Sequence, residues 1–314
     1  MAAVAVKRSL QLLNLAVAAG LTVVVIAVYR PWEVWTLDAA FIVALVASLA
    51  LLALLVFVWA SRHSLVLRQV DVAIPPSKLL WLVTFSGTAN SLTPAATGEV
   101  ARAWLLHRNF GVDMDRSAAA IVFERVFMFG FMGLTALAAG LATSGGTAWA
   151  VLGAMAVLAF VLVTPSLVGS LAPRLRSDEE RGILNKIRAV LATAFEVWSS
   201  RRATVLTALW STLAFGIMAT IFTLAAGIAG LEVDALTAWA LVGGATAAGV
   251  LSALPFGLGA AELSAIGIGA VLGLDTAAVA AAFVIYRILF TLPIAIAGSI
   301  AYARLMLGDS GGPR

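Results

Sequence analysis

The chain has 314 residues, 62% of them hydrophobic and only 11% charged, with a mean hydropathy of +1.04. That composition excludes a soluble globular fold and specifies an all-α, polytopic integral membrane protein. Cysteine is absent, so there is no disulfide framework, thiolate metal site or cysteine nucleophile, and the formal charge of +4 has to be explained by where the cations sit.

About 20 apolar residues cross roughly 30 Å of hydrocarbon as a helix. Six stretches reach that length, near residues 10–28, 40–60, 117–142, 147–170, 203–229 and 276–303. The first follows Lys7 and Arg8 and is read as a retained helix, because no small-residue cleavage site follows it. Two further apolar regions, 79–106 and 236–273, are interrupted by Pro and Gly. With residues 1–9 placed in the cytoplasm, Arg62, Arg68, Lys78, Arg108, Arg116, the cluster from Arg174 to Arg202, and Arg304 fall on that side. Arg30, Glu33, Asp38, Glu232, Asp234 and Asp275 fall on the other. This distribution obeys the positive-inside rule, so the basicity reports topology and no nucleic-acid partner is expected. It holds only if each interrupted region enters and leaves on the same side. The expected fold is therefore about six full spans plus two broken re-entrant segments, multi-pass in the cell membrane, with both termini cytoplasmic.

The first interrupted region carries Asn90, Ser91, Thr93, Pro94, Thr97 and Gly98, then Glu99 and Arg102 one turn apart. A helix starting near Gly98 would aim its N-terminal N–H groups and dipole at an anion. Residues 111–125 (GVDMDRSAAAIVFER) then align without gaps on residues 273–287 (GLDTAAVAAAFVIYR), identical at seven of fifteen positions, including Gly111/Gly273, Asp113/Asp275 and Arg125/Arg287. Upstream of each copy lies a broken segment ending in a Glu: Pro94, Gly98 and Glu99 in one, Pro255, Gly257, Gly259 and Glu262 in the other. Glu and Arg are 26 residues apart in the first copy and 25 in the second. The chain reads as one transmembrane domain, 1–314, holding a first repeat at 79–170 and a second at 203–306. The topology above runs them in opposite directions.

Between the repeats lies a polar stretch, 173–202, in which Ser177-Asp178-Glu179-Glu180 has the form of a capping box. Ile183, Leu184, Ile187, Val190, Leu191, Phe195 and Trp198 recur behind it at helical spacing, with Arg181, Lys186 and Arg188 elsewhere on the helix. A cytoplasmic amphipathic helix is expected. Residues 178–200 either lie on an anionic leaflet or pack on the protein's own cytoplasmic face.

Broken helices persist at membrane depth only where protein or a wet cavity satisfies their backbone, and a pair of them in two inverted halves points to a transport site. Buried charges cost roughly 2.5–3.5 kcal/mol each on insertion scales, so Arg125 and Arg287 are expected to pair with Glu99 or Glu262. Either these pairs hold the two halves in register, or the arginines bind a lipid phosphate while carboxylates balance charge. The candidate binding residues are Asn90, Thr93, Glu99, Arg102, Glu124, Arg125, Glu262 and Arg287, with helix breaks at Pro94, Gly98, Pro255, Gly257 and Gly259. His63 and His107 are placed in cytoplasmic loops. The sequence carries no HExxH helix, no P-loop and no Gly-x-Ser-x-Gly elbow, so neither a metal, a cofactor nor catalytic residues are expected.

The run Asn90 to Arg102 (N-S-L-T-P-A-A-T-G-E-V-A-R), Glu124-Arg125, Pro255 to Glu262, Arg287 and Pro293 resembles the flippase-like transmembrane domain of lysylphosphatidylglycerol synthases and their stand-alone relatives. The family's usual Gly-Gly-Glu is Thr97-Gly98-Glu99 here. The resemblance implies movement of an anionic, aminoacylated or isoprenoid-linked lipid between leaflets. It does not imply synthesis, since no aminoacyl-transferase domain follows within these residues. Three functions are weighed: a lipid translocase, a scaffold for a lipid-modifying or glycosyltransferase enzyme, and an intramembrane lipid-modifying enzyme using Glu99 and Glu262 as acid and base. The partners implied are a membrane lipid, an anionic leaflet surface, and a second copy or a lipid-modifying enzyme.

Overall fold

Long apolar helices with two short helix pairs folded between them determine where the charged side chains meet. The computed structural model describes residues 23, 27–28, 38–92, 97–175, 183–252, 254 and 257–307. In these residues all regular structure is helical. The elements are α1 (Ala39–Arg68), α2 (Pro76–Leu92), α3 (Thr97–Phe110), α4 (Met114–Gly145), α5 (Thr147–Leu175), α6 (Ile183–Ser199), α7 (Arg201–Ile228), α8 (Ala235–Leu251), α9 (Ala260–Val271), α10 (Thr276–Tyr286), a π-helical turn (Arg287–Thr291) and α11 (Leu292–Leu307). Among the described residues five apolar helical runs are long enough to cross a membrane: α1, α4, α5, α7, and α10 through α11 as one rod. They match five of the six expected spans; the sixth, 10–28, lies outside the described residues apart from a few positions. The chain is an all-α polytopic membrane protein.

Helix starts follow local chemistry. Asp38, Asp113, Ser200, Asp234 and Asp275 each accept a hydrogen bond from a backbone N–H in the first turn of the following helix, filling donors that the helix itself leaves unpaired. The two copies of Gly-x-Asp build the same corner. Gly111 and Gly273 have φ of 65° and 74°, a left-handed conformation that favours glycine, and each following Asp then caps the next helix.

The α2/α3 and α8/α9 pairs are helical hairpins, each helix too short to cross alone. In the first, Arg116 at the start of α4 reaches the Val70 carbonyl just past α1, at 3.5 Å, so the hairpin begins and finishes at one end of the bundle. In the second, Gly249 approaches Gly257 and Ala261, while Gly269 approaches Val279 of α10. Gly257 has φ 59°, and a Cβ there would lie 2.6 Å from the Gly249 Cα, so glycine is required at that corner on both counts. The hairpins pack crosswise: α2 against α11, and α8 against α4, while α1 lies beside α7. The Thr88 hydroxyl donates to the Ile294 carbonyl across the α2/α11 contact at 2.8 Å.

Burial follows composition. One face of α7, with Ala214, Ile221, Phe222 and Ala225 among its residues, sits in the core. By contrast α5 exposes Leu152, Met155, Leu158, Leu162 and Leu167, the outer surface an apolar helix presents to lipid. The polar stretch between repeats is shorter than the sequence suggests, since α5 runs on to Leu175 and α7 starts at Arg201. Its capping box at 177–180 lies outside the described residues. The C-terminal half of α6 packs on the protein, burying Ala192, Ala194, Val197 and Trp198. Trp198 meets Phe123, Phe127 and Phe160 edge-on and donates its indole N–H to Thr164 at 3.1 Å. Lys186, Ile187 and Arg188, nearer the start of α6, are exposed.

Candidate functional site

Each hairpin's second helix begins with a glutamate, and each following long helix carries the arginine that meets it. Glu99 lies in the first turn of α3 and pairs with Arg125 of α4. Glu262 lies in the first turn of α9 and takes Arg287 on one oxygen, with Nε at 2.7 Å and Nη2 at 2.6 Å. Its other oxygen accepts the Gly259 N–H at 2.7 Å, so this carboxylate both caps its helix and neutralises an arginine. Of the two pairings the sequence left open, each arginine takes the glutamate of its own repeat.

The first half carries a larger network. Arg102 also pairs with Glu99, one helical turn away, and its Nη2 reaches Glu124 Oε2 at 3.1 Å. The same Oε2 accepts from His63 Nδ1 at 2.9 Å, and Arg62 Nε lies 3.8 Å from Oε1. Arg62 and His63 correct the sequence reading. They lie inside α1, which continues six residues past Arg62 to Arg68, and His63 is fully buried instead of sitting in a loop. Residues 64–67, Ser-Leu-Val-Leu, keep the stretch apolar beyond the pair, and that was the available signal. His107 is exposed near the end of α3, its Nδ1 within 2.9 Å of the Val112 carbonyl, so it belongs to the Gly111 corner.

These groups surround a cavity of about 550 Å³ between the hairpins. Arg62, Arg102, Glu124, Arg125 and Arg287 line it, with Ser86 and Gly87 of α2, Met128 and Met132 of α4, Gly249 of α8, Gly257, and Tyr286 and Phe290 beside Arg287. Both halves therefore contribute to one chamber. Its walls are mainly apolar and its charges few and convergent, as in small-molecule sites generally. The side chains of Arg125 and Arg287 are 30% and 21% exposed, against 11% for Arg62 and 7% for Arg102. Arg125 and Arg287 are thus the more exposed cations of the lining, while Arg62 and Arg102 are more deeply buried beside Glu124. Of the remaining candidates, Gly98 is buried at the start of α3 and Gly259 has φ 78° at the start of α9. Asn90 ends in α2, its side chain outside the described residues; Thr93, Pro94 and Pro255 also lie outside them. Tyr286 and the π turn at Arg287 were not found from the sequence, although aligned position 286 faces Glu124 in the repeat.

A chamber among long apolar helices, lined by ion-paired arginines from both halves, defines a polytopic membrane protein. Comparison with known families makes this specific: the family described as the lysylphosphatidylglycerol synthase TM region matches residues 2–298. The chain belongs to that family, which gives it a membrane-lipid-related function. No curated protein and no solved structure matches it.

Proposed function

We propose that this protein is a lipid translocase without enzymatic chemistry, passing the phosphate-bearing headgroup of a membrane lipid through the central cavity while the acyl chains stay in the bilayer. The observation that carries this reading is the single chamber of about 550 Å³ walled by both hairpins and by arginines from both halves. A scaffold needs internal ion pairs but no shared cavity.

The helix contacts agree with an inverted repeat, and the match takes in α1, ahead of the first copy at 79–170. Matching α1 with α7, the two hairpins with each other, and α4 with α10–α11 turns the α2/α11 contact into the α8/α4 contact, and α1/α7 into itself. This reciprocity is what a pseudo-two-fold axis produces. The first hairpin opens toward the end of α1 and the second toward the end of α4, where Ala136 meets Gly243 and Gly140 meets Ala240. Those ends are opposite, so both pairs read as re-entrant segments entering from opposite faces. The positive-inside rule then sets Arg68, Arg116 and Arg201 in the cytoplasm. Rocking one half against the other would expose the arginines alternately to each leaflet.

The test is reconstitution into vesicles containing a headgroup-labelled phospholipid. Dithionite should quench the inner-leaflet fraction faster than in protein-free vesicles, and Arg125→Ala or Arg287→Ala should return the rate to background. Wild-type-like rates in both variants would remove the mechanism. Loss of a bound lipid-modifying enzyme from native membranes, with flipping unchanged, would favour the scaffold instead.

A further inference from the structure

His63 is a fully buried imidazole in the middle of an ion-pair network. The Glu124 carboxylate accepts its Nδ1–H at 2.9 Å, so a neutral ring carries its lone pair on Nε2. That Nε2 is buried without a hydrogen-bond partner. The far oxygen of Glu124, Oε1, has none either, with Arg62 Nε 3.8 Å away. Imidazole needs a partner at Nε2 in both charge states, a donor when neutral and an acceptor when protonated, and buried polar atoms are rarely left unpaired. Glu124 lines the chamber and His63 does not, so the pair has one atom facing the chamber wall and one facing away from it.

Two stripes of buried hydroxyls lead toward this pair. Ser117 lies seven residues before Glu124 on the same face of α4, about 10 Å along the helix, and next to Arg116, which reaches the carbonyl just past α1. On α7, Thr204, Thr207 and Ser211 share one face, starting at the Trp198 carbonyl, to which Thr204 donates, and finishing at Ser211, which accepts from Arg62. All four are at most 1% exposed. A hydroxyl inside an apolar helix ordinarily donates to a carbonyl of its own helix, as Thr84, Thr143, Thr212, Thr223 and Thr246 do. Ser117 and Thr207 depart from this: their hydroxyls are buried with no partner. Unpaired hydroxyls along a path to an unpaired imidazole nitrogen are the partners that ordered water takes.

The charges around His63 give a proton there a consequence. The elements packed on α1 are α2, α4, α7 and the π turn. The charged groups of the network are Arg62 on α1 itself, Glu99 and Arg102 on α3, Glu124 and Arg125 on α4, and Arg287 on the π turn. Helices α2 and α7 carry charge only at their starts, on Lys78, Arg201 and Arg202. A proton on His63 therefore adds a third cation to Arg62 and Arg102 on one carboxylate, and loosens the hold of Glu124 on both arginines.

We propose that His63 and Glu124 form a proton-binding site, reached by water along the Ser117 and Thr204–Thr207–Ser211 stripes from the end of the bundle that carries Arg68, Arg116 and Arg201. A proton delivered by water binds the Nε2 lone pair, giving an imidazolium whose Nδ1–H still donates to Glu124. It leaves back along the stripes or, by transfer from Nδ1 to the Glu124 carboxylate, into the chamber, and the imidazole is neutral again after either. Only a proton changes hands. That its passage accompanies lipid movement rests on the translocase reading; the site and its path do not.

The experiment reconstitutes the full chain into phosphatidylcholine–phosphatidylglycerol vesicles with a trapped pH dye, valinomycin and potassium clamping the membrane potential, and acidifies the outside. Wild type should acidify the interior about tenfold faster than protein-free vesicles, and His63→Gln should return the rate to background. Thr207→Val combined with Ser117→Ala, which touches no ion pair, should slow it about fivefold, the effect of a lost hydrogen bond on a rate. No acidification above protein-free vesicles would overturn the proposal; wild-type rates in His63→Gln would remove His63, and in the hydroxyl variant would remove the stripes. The chain has two histidines, so His107→Asn leaves His63 as its one imidazole. Nitrogen-15 histidine NMR of that variant should show the ring signals changing between about pH 5 and pH 8; constant signals would overturn the site even where His63→Gln fails to fold. Proton entry without lipid flipping in the same vesicles upholds the site and sinks the translocase, whereas flipping without proton entry does the reverse.

Discussion

The Glu262–Arg287 pair allows a sharp test of whether the buried charges hold the fold. Arg287 places two nitrogens within 2.7 Å of one Glu262 oxygen. Removing one partner of a buried pair leaves the other uncompensated, at a cost of about 3–5 kcal/mol, while replacing both with apolar residues of similar volume is often close to neutral. The two single variants should differ. Arg287→Met strands a carboxylate that is 5% exposed, whereas Glu262→Gln strands a guanidinium that is 21% exposed and faces the chamber. Glu262→Gln also keeps an oxygen to accept the Gly259 N–H, so it removes charge and spares the cap. The expected result is that Arg287→Met costs about 3–5 kcal/mol and Glu262→Gln about 1–3 kcal/mol, with the double variant Glu262→Gln/Arg287→Met costing well below the sum of the two. The measurement is reversible unfolding by SDS titration in mixed micelles, followed by tryptophan fluorescence. Costs that simply add in the double variant would refute the coupling, and with it the view that each arginine is held by the glutamate of its own half.

Glu124→Gln removes the carboxylate common to Arg62, His63 and Arg102; it should destabilise by about 3–5 kcal/mol in the same assay, more than Glu262→Gln. Trp198→Ala empties the aromatic cluster between α4, α5 and α6 and frees Thr164, so a loss of about 3–5 kcal/mol is expected, and Trp198→Phe should recover most of it. Gly257→Ala should lower the thermal midpoint, because both its φ of 59° and the Gly249 backbone oppose a Cβ. Since the chain has no cysteine, single-cysteine labelling tests topology directly: Ser77→Cys and Asp115→Cys should react with impermeant maleimide from one face of the membrane, and Glu232→Cys and Asp275→Cys from the other. Labelling of Ser77→Cys and Asp115→Cys from opposite faces would make α2/α3 a crossing, and the halves would not be inverted.

The spans were legible because lipid demands long uninterrupted apolar helices, and 40–60, 117–142, 147–170, 203–229 and 276–303 reappear as α1, α4, α5, α7 and α10–α11. The Glu–Arg pairs were legible for a related reason: at membrane depth a charge must find a partner, and the repeat put Glu99 and Arg125 at the spacing of Glu262 and Arg287. Arg62 and His63 escaped because polarity near a helix end reads as loop. The residues that meet them belong to α3, α4 and α7, distant in the chain, among them Arg102, Glu124 and Ser211. The orientation of α6 was left open because its apolar stripe suits a bilayer and a protein face equally. Trp198, meeting three phenylalanines from α4 and α5, decides the matter for its second half.

The π turn at Arg287 is a different kind of omission. No residue type in Arg-Ile-Leu-Phe-Thr forbids an ordinary helix, and such turns arise from tertiary context, often at functional sites. The aligned first-half segment after Arg125 is ordinary α-helix, so the halves share a sequence pattern and differ in backbone at the arginine each places in the chamber. Two halves that alternate roles need some element with two arrangements. An α-to-π exchange shifts the helix register by one residue and would turn Arg287 around the rod relative to Glu262. A spin-label pair at Thr223 and Ile296, flanking the turn from α7 and α11, should then show two distances in lipid-loaded vesicles. A single distance, unchanged by lipid, would assign the π turn to static packing.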